Sequence, residues 1–211
     1  MTQYAVHPAR MALVNIDMQN AFVEGTPLAA PAGPRIIEPI NLLAEACRKA
    51  GIMVIHKLHV TRADCSNLGT MGELCEPVRA GYIREGSESA RLHRGIRVEQ
   101  GDILLYKPRY GAFTGTDLDQ LLRANGRDTI IITGICTNVC CETTAREAGI
   151  RDYHVFFMSD ATETFPIGNV GVEDIKRVVH ATLGALFANV LPLDEMIARI
   201  ERAAAARAAA D

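Results

Sequence analysis

The sequence predicts an α/β protein, a doubly wound three-layer α/β/α domain with a six-stranded, mainly parallel sheet. Six short apolar runs alternate with longer segments of helical periodicity along the 211 residues. Such alternation indicates parallel strands joined by crossover helices that cover both faces of the sheet. Hydrophobic residues make up 48% of the chain, enough for a sizeable core at this length. No repeat or linker is visible, so we expect one domain over 1–211 with its core at about 11–190.

The strand predictions follow from runs of apolar residues that are typical of buried parallel strands. In chain order the six predicted strands are 11–16 (MALVNI), 52–60 (IMVIHKLHV), 102–107 (DILLYK), 128–134 (DTIIITG), 154–161 (HVFFMSDA) and 188–192 (ANVLP). The stretch 61–101 fits neither period and is too long for a plain connector. We interpret it as an excursion that borders an active site or a subunit contact.

The helix predictions follow from 3.6-residue spacing and from end signals such as glycine after the last turn. The predicted helices are 36–50, 117–125 with Thr116 as its cap, 138–148 with Thr137 and Asn138 as caps, 173–187, and a terminal helix from 193. We expect that last helix to decay into a frayed Ala/Arg tail that ends at 211.

Composition and charge exclude several classes of function. The formal net charge is −3 without a basic stripe, so we expect no nucleic-acid partner. No apolar run has membrane-spanning length, and no signal segment is visible at the start, so we expect a cytoplasmic protein without a membrane contact. Six cysteines in such a chain are not expected to form a disulfide framework.

Reactive side chains follow three of the predicted strands. Asp17 follows the first, Lys107 ends the third, and the cysteines of GICTNVCC follow the fourth. Because parallel α/β sheets bind ligands at the carboxyl ends of their strands, we expect these groups to converge in one crevice.

The convergence of these groups predicts an acyl-transfer hydrolase with a thioester intermediate. A cysteine in a first helical turn beside a lysine favours the thiolate. A carboxylate can take the thiol proton and return it to a leaving amine, and backbone N–H groups of the turn can face an oxyanion. The spacing does not decide between Cys140 and Cys141, which point about 100° apart on a helix.

Three motifs, in this order, carry a specific family resemblance: ALVNIDMQNAFVEG (12–25), GDILLYKPRYGAFTGTDLDQLL (101–122) and GICTNVCCETTAREAG (134–149). They resemble the isochorismatase-like cysteine hydrolase superfamily over about 11–190. The resemblance implies a triad with Asp17 as general base, Lys107 as its charged partner and Cys140 as nucleophile, and it makes Cys141 a packing residue. It also implies a cis peptide bond at Ile135–Cys136, with the N–H groups of Cys136 and Cys140 as oxyanion donors.

The resemblance also narrows the reaction. Nicotinamidases of this superfamily bind a metal through an Asp-x-His pair, but His56 and His59 have no such Asp and should lie on opposite faces of their strand. We therefore expect no metal and no cofactor, and each His contacts solvent or substrate at a strand end. Isochorismatases usually have a small residue at the nucleophile position, so Cys140 argues against that branch. A metal-independent hydrolase of a small amide, carbamoyl or ureido compound is the main hypothesis.

Three alternatives stay open: a vinyl-ether hydrolase that uses Asp17 and Lys107, a nicotinamidase-like amidase, and an inactive member that acts as a binding module. The substrate-binding candidates are Gln19, Phe22, Tyr110, Phe113 and Thr137, chosen because they adjoin the triad in sequence. The resemblance also implies a homodimer or homotetramer.

Overall fold

The computed structural model describes residues 3–209, and its centre is a six-stranded sheet with strand order β3-β2-β1-β4-β5-β6. The strands are β1 (Met11–Ile16), β2 (Met53–His59), β3 (Ile103–Lys107), β4 (Thr129–Ile135), β5 (His154–Glu163) and β6 (Asn189–Leu191). Every neighbouring pair is parallel. The predicted doubly wound α/β fold is confirmed, and the described sheet is parallel throughout rather than mainly.

Eight α-helices are found in the described residues: α1 (Asn20–Val23), α2 (Ile37–Lys49), α3 (Thr70–Leu74), α4 (Glu76–Ala80), α5 (Leu118–Ala124), α6 (Glu142–Gly149), α7 (Val172–Leu186) and α8 (Leu193–Ala208). The predicted fraying of the C-terminal tail is wrong up to Ala208, because α8 continues through the Ala/Arg run. Alanine and arginine are strong helix formers. Residues 210 and 211 lie outside the described residues. None of the helices within 3–209 combines the length and apolar character that crossing a membrane requires.

The sheet separates two hydrophobic clusters. On one face, α2 and α8 bury residues such as Leu43 and Met196 against β1, whereas α5, α6 and α7 form the opposite layer. The strand order reverses between β1 and β4, since β2 and β3 lie on one side of β1 while β5 and β6 lie beyond β4. In doubly wound sheets this reversal opens a crevice at the carboxyl ends of the two central strands.

The excursion at 61–101 contains α3 and α4 and then returns to the chain that follows β1. Its backbone is joined to that segment by hydrogen bonds from Asn20 N to Arg91 O (3.0 Å), from Ala21 N to Ser89 O (2.7 Å) and from His93 N to Met18 O (2.8 Å). The excursion therefore forms a wall beside the end of β1. Its expected role at a subunit contact stays a prediction.

Candidate active site

The backbones of β1 and β4 approach each other closely just before both strands end. Gly134 has φ of +119°, and a Cβ at that position would lie 1.9 Å from the carbonyl oxygen of Ile16. Only glycine fits so close a backbone contact. Asp17 follows with φ of +54°, and its N–H donates a hydrogen bond to the Lys57 carbonyl at 2.7 Å. The local geometry thus places the Asp17 carboxylate next to the residues that follow β4.

Asp17, Lys107 and Cys140 come together at this point as the sequence predicted. Lys107 Nζ lies 2.8 Å from Asp17 Oδ2, and both side chains are fully buried. The Cys140 sulfur lies within 4.8 Å of an Asp17 carboxylate oxygen. The Lys107 ammonium also donates hydrogen bonds to the carbonyls of Arg109 (3.0 Å) and Tyr110 (2.9 Å). With three acceptors around its three protons, Lys107 is held as a cation beside the carboxylate.

The segment after Lys107 is anchored to the helix that follows the cysteines. Ala112 N donates to Thr144 Oγ1 (3.1 Å) and Phe113 N donates to Glu147 Oε2 (3.0 Å). A Cβ at Gly111 would lie 2.2 Å from the Glu147 carboxylate, so a larger residue there would displace that carboxylate from its present position. These contacts fix the lysine strand against the cysteine helix across the crevice.

The cysteines lie on a wider turn than the sequence predicted. One turn of π-helix runs from Thr137 to Cys141, before α6, where we expected a continuous helix over 138–148. The Cys141 N–H donates to the Cys136 carbonyl at 3.0 Å, the five-residue spacing of such a turn. Single π turns often occur at functional sites. The predicted capping by Thr137 and Asn138 is wrong, because neither side chain caps the turn.

The predicted cis peptide bond at Ile135–Cys136 is present. Cys141 directs its sulfur toward the Thr133 carbonyl (3.9 Å) and is fully buried in the core, which is the packing role that the resemblance implied.

Burial is the largest single influence on the pKa of each of the three reactive groups. It raises the pKa of the Asp17 carboxyl, and the Lys107 charge offsets only part of that rise. It also raises the pKa of the Cys140 thiol well above its usual range, and the negative charge of Asp17 adds to the effect. Burial lowers the pKa of Lys107, but attraction to Asp17 and Cys140 outweighs it, and the net direction is upward. Burial and the Asp17 charge thus act against the thiolate that the sequence analysis favoured, so the Cys140 thiol needs a base to accept its proton.

His59 is a site residue whose role the sequence analysis left open between solvent and substrate contact. One of its ring nitrogens lies within 4.8 Å of both the Asp17 carboxylate and the Cys140 sulfur. Its ring is nearly parallel to Phe22 (centroids 6.4 Å apart) and edge-on to Tyr110 (5.8 Å). The pairing of β2 with β3 puts His59 opposite Lys107. That register was the signal that could have identified it.

The environment of His59 keeps its imidazole neutral. Burial, followed by the positive charge of Lys107, lowers its pKa well below the usual value. Its Nε2 has no hydrogen-bond partner in the described part of the chain. His56, by contrast, faces the other side of β2, where its ring nitrogens contact Asn15 (3.3 Å) and Asp102 (3.2 Å).

Asp17, His59 and Cys140 offer the oxygen, nitrogen and sulfur ligands that a zinc ion accepts. The Lys107 ammonium, however, already lies 2.8 Å from Asp17 Oδ2, so a metal cation bound to this carboxylate would lie beside a second positive charge. His56 contacts Asp102 on the opposite face and cannot supply a further ligand. The geometry favours the lysine over a metal as the positive charge of this site.

Two of the predicted substrate-binding residues, Gln19 and Phe113, make other contacts in the structure. The Gln19 amide donates to the carbonyls of His59 (3.1 Å) and Ala90 (2.7 Å), and its oxygen accepts from His59 N (2.7 Å). Both of its N–H groups are thus used by the backbone, which makes Gln19 a support for His59. Phe113 packs in the core against Tyr153, with centroids 5.5 Å apart.

The other three candidates remain near the reactive groups. Phe22 and Tyr110 contact the His59 ring, and Tyr110 is 38% exposed at the surface. The buried Thr137 hydroxyl lies on the cysteine turn and has no hydrogen-bond partner within residues 3–209. Contact of these three residues with substrate stays a prediction, as do the oxyanion roles of the Cys136 and Cys140 N–H groups.

Comparisons with known proteins point in the same direction as this geometry. The family model of the isochorismatase domain matches residues 11–195. Nicotinamidase 3 of Arabidopsis thaliana is 35% identical over 187 residues, covering 88% of this chain and 86% of that protein. Ureidoacrylate amidohydrolase RutB of Methylorubrum extorquens is 34% identical over 171 residues, covering 71% and 68%. The crystal structure of a cysteine hydrolase from Pseudomonas syringae pv. phaseolicola 1448A has a TM-score of 0.92 at 35% identity, covering 95% of this chain and 97% of that one.

Proposed function

The chain belongs to the isochorismatase domain family of hydrolases, and within it we propose that the protein is a metal-independent cysteine amidohydrolase. The proposed substrate is a small amide, carbamoyl or ureido compound, whose C–N bond is hydrolysed with release of ammonia. The observation that carries the proposal is the buried Asp17–Lys107 ion pair beside the Cys140 thiol. Two similar proteins that are named for amide hydrolysis support it.

In the first half of the reaction, Asp17 accepts the Cys140 proton as the sulfur attacks the substrate carbonyl carbon. The raised pKa of Asp17 makes it a stronger base than an ordinary carboxylate, which suits it to a reluctant thiol. The Lys107 ammonium stabilises the negative charge that moves onto the sulfur. The tetrahedral intermediate then collapses, the C–N bond breaks, and protonated Asp17 gives its proton to the leaving nitrogen. The products of this half are ammonia and a thioester on Cys140.

In the second half, water replaces the amine and Asp17 acts again as base. It takes a proton from water as the oxygen attacks the thioester carbon. The C–S bond breaks, Asp17 returns the proton to the sulfur, and the acid product leaves. Each proton that Asp17 accepts is thus returned within the same half reaction, so the site ends in its starting state.

The alternative reactions use less of this geometry. A vinyl-ether hydrolase needs an acid but no thiol, and would leave Cys140 beside the carboxylate without a role. A binding module would need none of the three groups buried together. A nicotinamidase-like amidase would use the same nucleophile and would differ in its substrate and in the metal that the family resemblance implies for that branch.

The test is ammonia release from a panel that contains nicotinamide, ureidoacrylate, biuret, maleamate and N-carbamoylsarcosine. Wild type is compared with Cys140→Ala and with Cys141→Ala, a matched control in which the neighbouring buried thiol is removed. We expect wild type and Cys141→Ala to hydrolyse at least one compound, and Cys140→Ala to lose turnover by 10³-fold or more, on the order of nucleophile deletions in other hydrolases. Equal turnover in Cys140→Ala and wild type would refute the proposal.

A further inference from the structure

We propose that His59 binds the substrate through Nε2, which accepts a hydrogen bond from an N–H group on the scissile nitrogen. This inference rests on the proposed function and narrows its substrate class. The site would then accept primary amides and ureides, and would discriminate against N,N-dialkyl amides and esters, whose leaving atom carries no N–H. Three features of the structure support it: the position of the ring, its tautomer and its charge.

The position of the His59 ring is fixed by contacts to its backbone and by two aromatic neighbours. The backbone of His59 is clamped by the Gln19 amide, which donates to its carbonyl and accepts from its N–H. The ring itself packs between Phe22 and Tyr110. From there a ring nitrogen lies within 4.8 Å of the Asp17 oxygen and the Cys140 sulfur, the two atoms that carry out the proposed chemistry. A substrate amide bound to that sulfur would therefore lie beside the imidazole.

The tautomer follows from the Pro108 carbonyl, with which the ring forms a hydrogen bond. A carbonyl only accepts, so the ring nitrogen that faces it carries the hydrogen. Nε2 has no partner within residues 3–209, so the bonded nitrogen is Nδ1 and Nε2 carries the lone pair of the neutral ring. A buried acceptor without a partner loses the hydrogen bond it would have in water, and a substrate N–H would restore it.

The charge excludes the other roles that a histidine could take. Burial and the Lys107 charge hold its pKa well below the usual value, so it is a weaker base than normal and stays neutral rather than acting as an imidazolium acid. Asp17, whose pKa is raised, remains the group that moves the proton. A hydrogen bond from the substrate N–H to His59 orients the scissile nitrogen. The lone pair of that nitrogen then faces the proton on Asp17 as the C–N bond breaks.

The experiment uses two alkylating probes of Cys140, iodoacetamide and N,N-dimethyl-2-iodoacetamide, in which two methyl groups replace the two amide hydrogens. Rates at Cys140 are measured by peptide mass spectrometry and divided by the rates with glutathione. We expect wild type to prefer iodoacetamide by about tenfold after that correction, as loss of one hydrogen bond to a buried acceptor implies. His59→Phe should reduce the preference to about one, while His59→Gln, which keeps an acceptor oxygen, should retain part of it.

His56→Gln is the matched control, because it changes a buried histidine of the same strand on the opposite face; it should keep the wild-type preference. A wild-type preference of one, or an unchanged preference in His59→Phe, would overturn the inference. If His59→Phe does not fold, two other variants decide. The inference is overturned if His59→Leu keeps the full wild-type preference for iodoacetamide. It is also overturned if His59→Gln unfolds at the normal temperature but loses that preference completely. Failure of the proposed function is distinct, because it appears as absence of ammonia release by wild type and leaves the alkylation ratio measurable.

Discussion

The buried lysine Lys57 allows the effect of burial on a charged group to be tested without measuring turnover. Its side chain is fully buried on β2, and its Nζ has no hydrogen-bond partner in the described residues. Burial lowers its pKa from 10.5 to about 8; Asp117 and Asp17 oppose that change, whereas Lys107 adds to it. A lysine in this position destabilises the folded protein whenever it is charged, so we expect Lys57→Met, of similar size, to increase stability at neutral pH.

The magnitude follows from linkage between protonation and folding. The pKa of Lys57 is 10.5 in the unfolded chain and about 8 in the folded protein. This difference corresponds to a cost of about 3 kcal/mol to the stability of the folded protein when Lys57 is charged. Below pH 8 both states carry the proton and the whole cost is present. As the pH rises from 8 to 10.5, the folded state loses the proton that the unfolded state keeps, and the cost disappears. Lys57→Met should therefore add about 3 kcal/mol to the free energy of unfolding at pH 7 and much less at pH 10.

The assay is urea unfolding followed by circular dichroism at pH 7 and pH 10, with the variant compared to wild type at each pH. Lys49→Met is the control, since Lys49 is exposed and pairs with Glu45 at the surface; it should change stability by less than about 1 kcal/mol. If Lys57→Met destabilises the protein at pH 7, or stabilises it equally at both pH values, the charge of Lys57 does not carry the expected cost.

The remaining predictions concern the site and its framework. Asp17→Asn, assayed at a temperature where the variant stays folded, should lower kcat/KM by about 10²- to 10⁴-fold, and near-normal ammonia release would contradict its role as base. Lys107→Met removes the charge that lowers the Asp17 pKa, so the acid limb of the kcat/KM pH profile should move to higher pH; a limb at the wild-type pH argues against the coupling. Gly134→Ala should lower the free energy of unfolding by more than about 3 kcal/mol, whereas Gly171→Ala, where an added Cβ meets no atom within 4 Å, should have a far smaller effect in the same urea assay. We also propose a homodimer or homotetramer, and sedimentation of a monomer at micromolar concentration would disprove it.

Much of the fold could be predicted because buried parallel strands leave a direct trace in the sequence. β1 was predicted with its observed bounds, Met11–Ile16, and the other strands within two residues at each end. Their apolar runs are buried on both faces, so no alternation is needed to find them. The frayed tail was wrong up to Ala208 because alanine and arginine are strong helix formers, and α8 continues through them.

The convergence of Asp17, Lys107 and the cysteine turn was predictable because the topology of a parallel sheet gathers strand ends, whatever their separation in sequence. The choice of Cys140 over Cys141 came from the family resemblance. Side-chain direction and burial were not predictable. The amide of Gln19 is used by backbone groups of His59 and Ala90, partners 40 and 71 residues away, which no local pattern encodes. The pKa of the Cys140 thiol is raised by its burial and by Asp17, against the helix and lysine effects that the sequence suggested.

In the proposed reaction, Cys140 attacks the substrate and carries its acyl group. The most direct measurement is acid quenching during turnover on a panel compound that wild type hydrolyses, followed by mass spectrometry of the peptide that contains Cys136, Cys140 and Cys141. We expect an added acyl mass on Cys140 in wild type and in Cys141→Ala, and none in Cys140→Ala. Hydrolysis of that compound by Cys140→Ala at the wild-type rate, with no acyl mass on the wild-type peptide, would contradict the account.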